Sequence, residues 1–300
     1  MGRSRGQRGA RGRRALIGAA AIAAAQLAVG ALAPACGDGE GDTTTGKRVT
    51  HATRITAGAE ASGAFTGASG WSITLSRAYL SVGALYYFDG APLTARLDPG
   101  RGRRRRPAGG GLFDQLARWA VPEAAAHPGH YAPGEAKGEM TAATSVDLAV
   151  GPATLEASDA VSGVYRSARL VFGAQPAGPL AGELGASVVV VEGTAEKGGE
   201  ERPFRVEAVV ADVLDSEGDP AVEGCVFEEA DVQEDGGVTV TVKPSVWFDQ
   251  VDFADVPASP DGQPVLIAPG STAHRAFARG LKKGTAYVFS YAPGQAEETP

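Results

Sequence analysis

Residues 71–76, Trp-Ser-Ile-Thr-Leu-Ser, and residues 238–242, Val-Thr-Val-Thr-Val, put an apolar side chain at every second position. A period of two is that of a strand with one buried face. The same alternation returns at Val146, Leu148 and Val150, and at Phe204, Val206, Ala208 and Val210. Val188–Val191 is instead an unbroken β-branched run, fit for a strand buried on both faces. Turn residues punctuate these runs. Leu85-Tyr86-Tyr87-Phe88 meets Asp89-Gly90, a hairpin signal, and Lys197-Gly198-Gly199 and Asp235-Gly236-Gly237 are tight-turn candidates. The chain has no Asn, so its turns must draw on Gly, Asp and Pro, and N-glycosylation has no acceptor.

Helical periodicity is nearly missing from the body. Its one clear case is a short helix that Ser271 can cap, with His274, Phe277 and Leu281 on one side. Many short strands in chain order predict an all-β fold, a β-sandwich of Ig-like style over residues 48–292, followed by a tail at 293–300. One stretch breaks the pattern. Residues 98–140 read as a long irregular insertion that carries an arginine run, a short apolar segment and a Pro/Gly/Ala-rich segment.

The front end has its own composition. Residues 1–14 carry six arginines and no acid, residues 15–32 are apolar except for Gln26, and Ala33-Pro34-Ala35 precedes Cys36. A basic segment, an apolar run and small residues in that order predict a signal peptide over residues 1–35, with a retained transmembrane anchor as the alternative. The segment Leu32-Ala33-Pro34-Ala35-Cys36 resembles the lipobox of bacterial lipoprotein precursors, with Ala33 where that family favours Leu. The resemblance covers only the first forty or so residues. It implies cleavage before Cys36, acylation of that cysteine, and a mature protein held on the extracytoplasmic face of a bacterial membrane. Ala33-Pro34-Ala35 equally fits the ordinary signal peptidase, which would cut at the same bond. Residues 36–47 form the expected tether, since GDGEGDTTTGK contains no apolar side chain. Arg13-Arg14 also loosely resembles a twin-arginine export signal, against the plainer reading of a basic leader.

The net charge is −7, and loss of the six leader arginines leaves −13. So acidic a chain argues against nucleic acid as a partner. There are two cysteines. If Cys36 carries lipid, Cys225 has no intramolecular partner, and its acidic neighbourhood makes it a poor nucleophile.

Three constellations can carry chemistry. Arg101, Arg103, Arg104, Arg105 and Arg106 form a run suited to anionic lipid head groups, and Leu112, Phe113, Leu116, Trp119 and Ala120 beside it share one helical face. A solvated loop ahead of a core-packed helix is the alternative. His127-Pro128-Gly129-His130 sets two imidazoles across a turn, a candidate copper or zinc site that Glu135, Glu139, Met140, His51 or His274 would complete if the fold gathers them. An exposed loop with idle histidines is the alternative. Asp249, Asp252 and Asp255 offer oxygen ligands for calcium, but an acidic strand end with core aromatics suits that segment better.

No nucleophile elbow, zincin motif, Walker loop or dinucleotide-binding glycine fingerprint occurs in the chain. The expected function is that of a lipid-anchored cell-envelope protein with a non-catalytic binding or structural role. The alternatives are a periplasmic copper- or zinc-binding protein using His127 and His130, and an envelope hydrolase.

Overall fold

The computed structural model describes residues 46–92 and 133–294, all within one compact unit. The strands are β1 (Arg48–Ala57), β2 (Phe65–Thr66), β3 (Ser72–Phe88), β4 (Ala136–Met140), β5 (Thr144–Asp147), β6 (Ala153–Thr154) and β7 (Ser158–Val161). They continue with β8 (Gly163–Phe172), β9 (Ser187–Lys197), β10 (Glu200–Val209), β11 (Ala221–Val232), β12 (Gly236–Val242), β13 (Val265–Leu266) and β14 (Tyr287–Pro293). Among the described residues three α-helices interrupt them: α1 (Ala181–Leu184), α2 (Pro244–Phe248) and α3 (Thr272–Leu281).

The expected all-β class holds. The pairings differ from an Ig-like pair of separate sheets, because all of them lie in one mixed sheet whose path closes on itself. From β3 the order runs β4, β7, β1, β12, β14, β11 and β8, and β8 pairs back onto β3. These described strands form a ring. Strand β3 makes the closure possible because it is long enough to serve two neighbours on one edge. Its residues from Ser72 to Leu80 pair with β9, and those from Val82 to Phe88 pair with β8. Beyond β9 the sheet extends outward through β10 to β13.

Burial follows the alternation in the sequence except at Val150, which lies in the turn after β5 and is exposed. Val49, His51, Thr53 and Ile55 of β1 are buried, as are Val238, Val240 and Val242 of β12. Val188–Val191 is buried at every residue, so both faces of β9 are covered there, and β3 and β10 pair its two edges. The β9–β10 hairpin turns at Gly198 and Gly199, both at positive φ, which a side chain would resist.

Two aromatic clusters fill the interior. Inside the ring Tyr87, Tyr165, Phe227 and Phe289 lie with centroids 5.3–6.1 Å apart. Under the flanking sheet Trp71, Phe204, Phe248, Phe253 and Phe277 form the second cluster. Tyr287 touches both sides of this divide, with Phe172 at 6.3 Å and Trp247 at 6.4 Å. Such pairs contribute about 0.5–1.5 kcal/mol each beyond their burial. Helix α3 is capped as its sequence predicts: the Ser271 hydroxyl accepts the His274 amide at 3.2 Å, and Phe277 and Leu281 are buried.

Three local expectations need correction. Residues 136–140 form strand β4 rather than the end of an irregular insertion, because the β3–β4 hairpin continues across the gap in the pattern. The Asp89 amide donates to the Glu135 carbonyl at 3.3 Å and that of Gly90 to Pro133 at 2.8 Å, so the pairing of β3 with β4 continues up to these residues. Gly236 and Gly237 begin β12 and are buried, so the turn lies just ahead of them. Residues 244–248 are helical and 249–256 irregular instead of a strand end, because Pro244 starts a helical turn at the end of β12.

Helix α3 crosses α2 so closely that a methyl on Gly280 would collide with the backbone of Trp247. We expect Gly280→Ala to destabilise the domain by about 1–3 kcal/mol in urea unfolding. Gly182→Ala, in open space on α1, should change stability by no more than about 1 kcal/mol.

Candidate functional site

Cys36, the arginine run at 101 and 103–106, and both His127 and His130 lie outside the described residues. The other residues named for a metal site are described, and the fold does not gather them. Glu139 is exposed on β4. Glu135 pairs with Lys137 at 2.8 Å, and Met140 is buried on β4. His274 docks α3 onto β10: its Nε2 donates to the Glu207 carbonyl at 2.9 Å, and its Nδ1 accepts the Gly270 amide at 3.3 Å. His51 lines the ring interior instead, so the two buried histidines belong to different parts of the core. Among the described residues no group of three or more His, Cys, Asp or Glu could hold a metal ion.

The acidic segment after α2 is likewise occupied. Asp252 accepts the Trp71 indole at 2.9 Å, and Asp249 faces Lys283 at 3.4 Å. The Ala254 amide and the Trp71 indole hold the Asp252 carboxyl below its usual range. Trp247, Phe248 and Phe253 are core residues, as their apolar character predicts. Cys225 is fully buried, and desolvation pushes its thiol up to about 12.

What the fold gathers is a polar cluster under one end of the ring. Register explains it. Neighbouring ladders bring His51 opposite Ser158 and Gly236, Tyr87 opposite Gly138, and Gly138 opposite Ala160. The inward phase of β1 thus carries His51 and Thr53 among apolar neighbours. Thr53 donates to the Ser158 hydroxyl at 3.3 Å. The Tyr165 hydroxyl donates to the Val161 carbonyl at 2.8 Å and lies 3.3 Å from that of Lys137. His51 Nε2 lies 3.5 Å from the Tyr165 oxygen, at the outer limit of a hydrogen bond, and its Nδ1 has no partner. Tyr165 and Tyr291 meet the imidazole edge to face, with centroids at 6.0 and 5.3 Å. The Tyr87 hydroxyl also lacks a hydrogen-bond partner, although those of Ser158 and Thr53 are nearby. Burial raises both Tyr87 and Tyr165 above the ordinary phenol range and lowers His51.

This cluster lies under the end where the chain enters and leaves the described domain. The Lys47 amide donates to the Ser162 hydroxyl at 2.9 Å, and Gly163 is level with Val232. Arg166 reaches the Asp89 carbonyl at 3.5 Å, and the Gly294 amide reaches that of Asp235 at 3.3 Å. The start at Gly46, both roots of segment 93–132 and the end at Gly294 therefore share one rim.

The cluster was not singled out from the sequence, although its signal was present: His51 and Thr53 fall on the apolar phase of Val49 and Ile55. As a hydrolytic site it offers little. Ser158 is engaged by Thr53, His51 faces Tyr165, and all four are buried. A separate groove of about 460 Å³ at the opposite end is lined by Asp215, Glu223 and Lys282 among others. Arg169 beside it pairs with Asp219 at 2.6 Å and Asp215 at 3.6 Å. No protein-family model, curated protein or solved structure matches the chain.

Because the Tyr87 hydroxyl is buried without a partner, Tyr87→Phe should leave stability within about 0.5 kcal/mol of wild type, or raise it. Tyr165→Phe, which strips a donor from the Val161 carbonyl, should cost about 1–2 kcal/mol in the same denaturation measurement.

Proposed function

We propose that this protein is a lipid-anchored lipoprotein of the bacterial cell envelope, exported from the cytoplasm, with a non-catalytic binding or structural role. The order of the front end supports export: arginines, an apolar run, Ala33-Pro34-Ala35, then Cys36. The observation that carries the reading further is the shared rim. A tether that begins at Cys36 enters the domain beside both roots of the segment bearing Arg101 and Arg103–Arg106. Arg101 lies nine positions beyond Pro92, a reach of up to about 30 Å. The arginines and the anchor therefore address the same membrane surface. Each arginine near an anionic leaflet contributes about 1 kcal/mol, screened by salt. The anchor does the holding, and the basic segment orients the domain against the head groups.

Intact mass of protein recovered from bacterial membranes should correspond to a chain starting at Cys36 and carrying acyl groups. A chain retaining Met1, or one starting at residue 36 without lipid, would remove the anchor. Cys36→Ala should release the protein to the soluble fraction. For the arginine run, the unacylated domain should float with vesicles containing phosphatidylglycerol but not with pure phosphatidylcholine. Deleting residues 101–106 should abolish that difference, and equal flotation with and without them would retire the lipid contact.

A further inference from the structure

The polar cluster raises a question that the proposed function leaves open: why a closed, aromatic interior keeps an imidazole with so little hydrogen bonding. His51 is fully buried, its Nδ1 has no partner, and its Nε2 has only a 3.5 Å approach to Tyr165. Every neighbouring element contributes something to its surroundings. Strand β8 brings Tyr165, β14 brings Tyr291, β3 brings Tyr87 and β7 brings Ser158; β12 brings Gly236, and β4 brings the carbonyl of Lys137. Along β1 itself, Val49, Thr53 and Ile55 share the inward face. Of the groups around the ring, Asp235, in the turn ahead of β12, and then the Thr50 backbone favour the charged form, and burial outweighs both.

Asp235 is already employed. Its Oδ1 accepts the Thr50 amide at 2.8 Å, which ties this turn to β1. The Tyr291 hydroxyl ties the same turn from the other side through the Glu234 carbonyl at 2.9 Å. A neutral imidazole fits between the two tyrosines. An imidazolium there would be a buried cation, and the Asp235 carboxylate that acts on it is already bonded to the Thr50 amide.

We infer that His51 is a proton-sensitive latch on the rim where the tether, the roots of segment 93–132 and the end of the domain converge: protonation opens this rim while the core around α2 and α3 stays closed. The sign follows from the environments. Burial disfavours the charged imidazole in the closed form, whereas in an opened rim it regains its ordinary value near 6.5. The open form then binds more protons, so the closed form is fully stable above about pH 6.5 and loses stability as the pH falls below it.

Amide hydrogen exchange of the whole domain at pH 7.5 and 5.5, corrected for intrinsic rates, tests this. In wild type, acid should raise the opening equilibrium of residues 47–53, 163–167, 232–238 and 289–293 by up to about tenfold, the limit set by an ordinary histidine in the open form. Residues 204–208 and 273–281 should change little. His51→Gln, which cannot titrate, should lose the acid response of the rim. An equal response in both regions, no response in either, or an unchanged response in His51→Gln would overturn the latch. If that variant does not fold, the contrast between the two regions of wild type decides alone.

Discussion

A backbone edge can be paired only once at each residue, and strand β3 is where that limit shapes the molecule. Its seventeen residues exceed what any one neighbour covers. Where β9 stops, near Leu80, β8 takes over at Val82. On the opposite edge β2, β5 and β4 follow one another. The first half of β3 thus belongs to the flanking sheet and the second half to the ring. Each ladder satisfies backbone groups that would otherwise be buried without partners, so the change of neighbour cannot slide without exposing several of them.

The two aromatic clusters inherit this division. The cluster under the flanking sheet is mostly apolar: Trp71 is bonded to Asp252 and His274 to Glu207 and Gly270, while the buried Trp247 indole beside Phe277 has no hydrogen-bond partner. The ring cluster is less complete. Tyr165 is well bonded, but Tyr87 and His51 each keep a buried polar atom without a partner. A partly satisfied polar network is the costlier arrangement, because desolvation is not offset by hydrogen bonds. The ring end thus carries two such groups, His51 and Tyr87, against one, Trp247, around α2 and α3.

Much of the fold was legible. Val238, Val240 and Val242 alternate and are buried alternately. Val188–Val191 runs unbroken and is buried on both faces. Ser271 caps the helix it was expected to cap. These are readings of local periodicity, and local sterics decide them. The Trp247–Asp255 segment misled because aromatic residues mark a core position without saying whether a strand or a helix carries them. The end of the insertion misled because Ala136–Met140, with Gly138 inside it, has weak strand propensity. Pairing with β3 and β7 makes it a strand.

By itself, then, the amino-acid order determined the strand-rich class, the phase of the strongly alternating strands such as β12, and the helix cap, all of which rest on contacts within a few residues. Only the tertiary structure decided that the sheet closes through β3, that His51 meets Tyr165 and Tyr291, that His274 serves a different core, and that both ends of the domain share a rim with the insertion. The reason is physical. Each strand offers the same hydrogen-bonding edge, so which edges meet depends on how all the buried faces can be covered at once.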